Sequence, residues 1–200
     1  MKEMILMSIL MLLNQFWVYD LDTADRIDPI IFEKNIELSS YDVVNTAKFN
    51  DSEFLLTAKP KEYDPENEGL RLIYLVKDNN ERFKIEFESS PTGEAYRYTP
   101  HYFKFNDGEI IILAEEAYEY TSGFDVFKLQ NGKMEHLGFA AIAGDMRDSA
   151  IDQATIGKTD NEYKIWFTGT VEPNPISDNL IPGEKIEVSI NEQGLKLIEK

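Results

Sequence analysis

The sequence predicts an all-β fold, an antiparallel meander of three four-stranded units, and three observations predict it. One phrase is written nearly twice, KFNDSEFLLTA over 48–58 and KFNDGEIIILA over 104–114, with a looser copy, KTDNEYKIWFT, over 158–168. Each copy sets Asn, Asp, Ser or Gly between two runs rich in Ile, Leu, Phe and Tyr. Those turn residues tolerate left-handed backbone, so each copy reads as a β-hairpin. A second hairpin follows each first one, and Glu53, Glu109 and Glu162 mark a period of about 55 residues, slightly above that of propeller blades.

Taken in order, residues 1–13 hold an apolar run from Met4 to Leu13 behind Lys2, broken only by Ser8. That length suits the hydrophobic part of a secretory signal and falls short of the roughly 20 residues that cross a bilayer. Glu3 offsets Lys2, and NQFWVYD supplies no small-x-small cleavage site, so the alternative is an apolar segment packed on the domain. Residues 14–200 read as one domain, with no Ser, Gly or Pro linker dividing them. Within 14–40, FWVYDL and IIFEKNIEL are strand candidates that could begin a fourth unit.

The first unit pairs VVNTAKF with EFLLTA across Asn50–Ser52, then LRLIYLV with RFKIEFE across Asp78–Asn80. The second pairs Tyr102–Phe105 with EIIILA across Asn106–Gly108, then FDVFKL with KMEHLGFAAIA across Asn131–Gly132. The third pairs Ala154–Lys158 with EYKIWFTGTV across Asp160–Asn161, then KIEVSI with LKLIE near Gly194. Period-two alternation gives each strand one buried and one wet face. It fixes the hairpins but not how the sheets close, which leaves a propeller-like ring, a barrel or a sandwich.

Composition narrows the function. With 42% hydrophobic and 12% aromatic residues the chain carries a core rather than a disordered acidic tail. Its net charge of −17 repels phosphate backbones and anionic lipid, so nucleic acid and stable membrane insertion are set aside and a basic partner is favoured. No cysteine is present, which removes disulfides, thiolate metal sites and nucleophilic Cys. Two histidines do not make a multi-histidine metal site.

The longer connections inside the three units are KPKEYDPENEG, EEAYEYTSG and VEPNPISDNLIPG. Equivalent loops of a repeated unit emerge on one side. That rim would carry Tyr63, Tyr118 and Tyr120 among carboxylates, with Asp64, Glu66, Glu115, Glu116, Glu119 and Asp178 as candidate partner-binding residues. Tyr offers a large contact area with few torsions to freeze, and carboxylates steer a basic partner.

Catalytic grammar is sparse. No G-x-S-x-G occurs, and Gly157-Lys158-Thr159 is no phosphate loop, because Asp152 stands where its first glycine belongs. Asp20 and Asp22 open like a calcium loop, but Ala24 fills the third ligand position. Asp145, Asp148 and Asp152 surround Arg147, an arrangement that ion pairing satisfies. No cofactor and no metal are expected.

NDGEIIILAEE and TDNEYKIWFTG resemble the blade strands of five-bladed glycosidase propellers. That resemblance implies a glycan-binding or glycosidase-like module, for which two facing carboxylates are needed. Asp51, Asp107 and Asp160 instead fall in turns, and Trp166, Tyr118 and Tyr120 would serve as sugar platforms if they lined one concavity. Thr92–Tyr96, TGEAY, resembles the small-Gly-x-x-Tyr loop by which some periplasmic lysozyme inhibitors plug their target, with Thr in the usual Ser place. The sequence therefore reads foremost as a non-catalytic, secreted or periplasmic acidic β-domain that binds a macromolecule, of the inhibitor or immunity-protein type.

Overall fold

The computed structural model describes residues 21–31, 36–62, 64, 65, 68–145, 149–159, 162–174, 176, 177 and 179–200. The segment 1–13, residues 14–20, Tyr63, Glu66, Arg147, Asp148, Asp160, Asn161 and Asp178 lie outside these. The fold is all-β and antiparallel.

The first sheet runs β3 (Ile30–Ile31), β4 (Tyr41–Lys48), β5 (Glu53–Pro60), β6 (Arg71–Lys77) and β7 (Phe83–Glu88). The second runs β2 (Asp25–Ile27), β8 (Arg97–Lys104), β9 (Ile110–Ala117), β10 (Thr121–Gln130) and β11 (Lys133–Ala140). The third runs β1 (Asp22–Thr23), β13 (Ala154–Thr159), β14 (Glu162–Phe167), β17 (Ile186–Asn191) and β18 (Gly194–Glu199). A small sheet joins β12 (Ile142–Gly144), β15 (Thr170–Pro173) and β16 (Ile181–Pro182).

Local chemistry accounts for the hairpins. Asn131 and Gly132 both take positive φ, 52° and 70°, the pair of left-handed residues that a two-residue hairpin turn requires. At 78–82 the Asp78 carboxylate accepts the N–H groups of Asn80 and Arg82, and the left-handed position falls to Glu81. Central strands read as continuous apolar runs because both of their faces are covered. Ile110 and Ile112 pack with Leu55, Leu72 and Tyr74 of the first sheet, while Ile111 and Leu113 pack with Ile156, Ile165 and Val188 of the third. The second sheet is therefore the middle layer.

No described sheet closes into a barrel, which corrects that expectation. The free edges β7, β11 and β18 carry charges such as Lys84, Glu86, Glu135 and Lys196, which discourage pairing with another chain. Residues 22–31 add three short edge strands. They form a strap in which β1 pairs β13, β2 pairs β8 and β3 pairs β4, covering one edge of each large sheet in turn, while most of FWVYDL and residues 32–35 of IIFEKNIEL lie outside the described residues. The third long connection is corrected too, since it builds β15 and β16 instead of remaining a loop. Among the described residues no helix is long and apolar enough to cross a membrane.

Candidate functional site

The connection from β7 to β8, residues 89–96, is held at Thr92. Its N–H donates to the Leu70 carbonyl at 2.9 Å, its Oγ1 accepts the Leu70 N–H at 3.1 Å, and its carbonyl lies 3.3 Å from the Tyr118 hydroxyl, whose proton has a shorter partner in Glu116. Gly93 follows in the left-handed region, φ 64°, and Ala95 is buried. Tyr96 is thereby turned outward, 67% exposed. Gly69 secures this approach, because a Cβ there would lie 2.5 Å from the nitrogen and the oxygen of Gly93.

Tyr96 stands between two clefts and lines both. The first, about 510 Å³, carries Asp42, Glu62, Asp64, Glu68 and Glu94 against Lys59 and Lys61. The second, about 590 Å³, carries Glu115, Glu119, Asp145 and Glu172 against Arg97, with Tyr120 and Ser149 on its wall. Residues from all three long connections thus flank one tyrosine, with acid in excess on either side. Lys61 is also tied down, its Nζ donating to the Leu38 carbonyl at 2.8 Å. Tyr120 is 61% exposed and Tyr118 39%.

Comparison with models of known families, with curated proteins and with solved structures returns no match. The site has to be read from its own geometry.

Of the residues anticipated for partner binding, Asp64 lines the first cleft and Glu119 and Tyr120 the second. Glu115 and Glu116 are strand residues of β9 rather than loop residues, and as neighbours on a strand they face opposite ways. Glu115 is buried at the floor of the second cleft, where Arg97 Nη2 reaches it at 3.3 Å and Ser149 Oγ donates to it. Glu116 turns toward the first sheet, where its Oε1 accepts the Tyr118 hydroxyl at 2.9 Å. Tyr63, Glu66 and Asp178 lie outside the described residues. Tyr96 ends TGEAY, the loop set apart by its resemblance, but does not stand among the anticipated partner-binding residues, because its exposure depends on Leu70 holding Thr92 from another strand.

The polar side chains at the floor of the second cleft are engaged with one another. Ser149 Oγ is engaged twice, donating to Glu115 and accepting the Ile151 N–H at 3.2 Å as the cap of a short 3-10 turn, Ala150–Gln153. Asp152 is paired with Arg26 at 2.8 Å. Arg26 also reaches His101 Nδ1 at 2.8 Å, and since Arg only donates, the His101 proton sits on Nε2. Burial, with Arg26 nearby, lowers the His101 pKa. Among the described residues no three His, Asp or Glu side chains are grouped to hold a metal ion. Trp166 lines neither of the clefts that meet at Tyr96; the end of its ring lies close over Gly157 instead.

Proposed function

We propose that this chain is a non-catalytic, exported acidic β-domain, three four-stranded units arranged in the manner of propeller blades, that binds a basic macromolecular partner as an inhibitor or immunity-type protein. The observation that carries this reading is the exposure of Tyr96 between two acid-lined clefts. A rigid aromatic ring at the centre of a patch, ringed by carboxylates, is the composition of an interface anchor with a polar rim. Both neighbours of the ring favour cations, and the net charge of −17 extends that preference over the surface. The turn Thr92–Tyr96, with Gly93 left-handed and Tyr96 at its end, supports inhibition in particular, because a fixed loop carrying one projecting side chain can enter an active-site cleft.

The test is capture of cationic proteins, a basic lysozyme among them, on the immobilised chain. Tyr96→Ala is expected to weaken retention at least about tenfold, the scale of an interface hot spot, and Tyr120→Ala less. Retention that is indifferent to Tyr96→Ala, or capture of neutral glycans alone, would sink the reading.

A further inference from the structure

A third, smaller cleft of about 200 Å³ opens on the face of the second sheet that looks toward the first. From that sheet its lining takes Glu116 of β9, Asp125 and Phe127 of β10, and His136 and Phe139 of β11, with Tyr98 of β8 beside it. Tyr98 of β8 pairs with Glu116 of β9, and Asp125 of β10 lies diagonally across from Glu116 and opposite Phe139 of β11. Asp125 accepts the Tyr98 hydroxyl at 2.6 Å on one oxygen and meets His136 Nε2 at 2.7 Å on the other. Ser89, Ser90, Pro91 and Thr92 close the side formed by the first sheet.

The charge is out of balance here. The three buried carboxylates of the described residues each have a Lys or Arg: Glu109 has Lys158, Glu115 has Arg97, and Glu187 has Lys164 and Lys200. Among the described residues Glu116 and Asp125 have none, only the Tyr118 and Tyr98 hydroxyls and the His136 imidazole. A half-buried carboxylate without a cation is costly to hold. Burial, with the Asp125 charge beside it, keeps the Glu116 pKa raised despite the Tyr118 hydroxyl.

A second feature is independent of charge. The wall is aromatic, with the His136 and Phe127 rings 4.8 Å apart and the Phe139 ring 40% exposed. Phe139 is seated on Gly123, where a Cβ would meet its Cζ at 2.7 Å, so only glycine lets the ring lie there. Aromatic faces attract cations, and planar guanidinium groups both stack on rings and fork onto carboxylates. A cleft of this volume is below the roughly 300–1,000 Å³ of small-molecule pockets, so it suits one side chain. Diagonal neighbours on adjacent strands stand about 7–8 Å apart, somewhat less at Cβ. That gap fits the two edges of a guanidinium better than a single ammonium.

We propose that this cleft receives one arginine side chain of the basic partner, its guanidinium between Glu116 and Asp125 and against Phe139. This rests on the reading of the chain as a binder of basic proteins, and it adds a second anchor, on the other side of Thr92 from Tyr96.

The probe is N-acetylarginine methylamide, titrated into the full chain and followed by amide proton–nitrogen correlation spectra, with the lysine and alanine analogues as controls. Shift changes should centre on Glu116, Asp125, His136 and Phe139 and saturate with a Kd on the order of 1 mM, as expected for a single side chain. Glu116→Gln should weaken binding at least about tenfold while its melting temperature holds or rises, and Tyr96→Ala should leave it unchanged. No saturable shift, equal binding by the alanine analogue, tighter binding by the lysine analogue, or indifference to Glu116→Gln overturns the assignment. The two readings fail separately. Capture of a basic protein that needs Tyr96 but not Glu116 removes the cleft alone, whereas arginine in the cleft with no basic protein captured removes the proposed function alone.

Discussion

Glu116 and Glu187 show how one carboxylate can oppose folding while another supports it. Burial alone would raise the Glu187 pKa, but Lys200 and Lys164 hold it below its ordinary value. An acid lowered in this way stabilises the fold above about pH 4.3, and that stability is lost as pH falls through the folded value. Glu116 is raised instead, chiefly by burial. The folded state then binds its proton more tightly than the unfolded chain does, so stability falls as pH rises from about 4.3 through the folded value. Glu116→Gln removes that penalty. Thermal melts should show the variant roughly 2 °C above the parent near neutral pH, the effect being kept small by solvent screening, and the two should converge below about pH 4. A variant that melts below the parent at neutral pH would show that the charge is compensated after all. The same residue marks a limit of the sequence. Glu115 and Glu116 read as one acidic loop because β9 was taken to end before them, whereas the strand continues to Ala117 and sends them to different sheets. TGEAY was legible as a loop, but the exposure of Tyr96 was not, since Thr92 is fixed by Leu70, 22 residues away.

At the scale of elements, the close approach of Gly69 to Gly93 is what ties the β5–β6 connection to the turn that presents Tyr96. Gly69 has φ 117°, in the region that side chains disfavour, and an added Cβ would overlap the backbone of Gly93. Gly69→Ala should therefore cost about 1–3 kcal/mol, measured by urea unfolding, and weaken partner capture beyond what the lost stability explains. Gly93→Ala is the comparison, because open space surrounds its missing Cβ and only its φ is unfavourable. If both variants unfold alike and bind alike, the contact between the two loops has no positioning role. The hairpins themselves were legible because Asn131-Gly132 and Asn106-Asp107-Gly108 carry their turn chemistry locally. The strap was not. Strands of two or three residues such as Asp22–Thr23 and Ile30–Ile31 show no period, and they exist only because β13, β8 and β4 offer unpaired edges to them.

For the molecule as a whole, 37 acidic residues stand against 20 basic ones, and many of the basic ones are already engaged within the fold. Lys158 lies between Asp107 and Glu109, Lys164 between Glu162 and Glu187, and Lys48 beside Asp51. Burial alone would lower Lys158, yet Asp107 and Glu109 outweigh it and raise its pKa. What remains on the surface is net negative, and a field of that kind would act on encounter with the basic partner proposed above before any contact forms. Screening lengths shrink from about 10 Å at 0.1 M salt to about 3 Å at 1 M, so the approach of a basic protein loses its guidance while the seated Tyr96 contact keeps most of its own. Stopped-flow association with a captured basic protein should slow by about tenfold between roughly 0.05 M and 0.5 M salt, with dissociation changing far less. Tyr96→Ala should do the reverse, speeding dissociation with little effect on association. An association rate flat in salt would mean that the acidic surface serves solubility alone, and a dissociation rate indifferent to Tyr96 would move the anchor elsewhere on the fold.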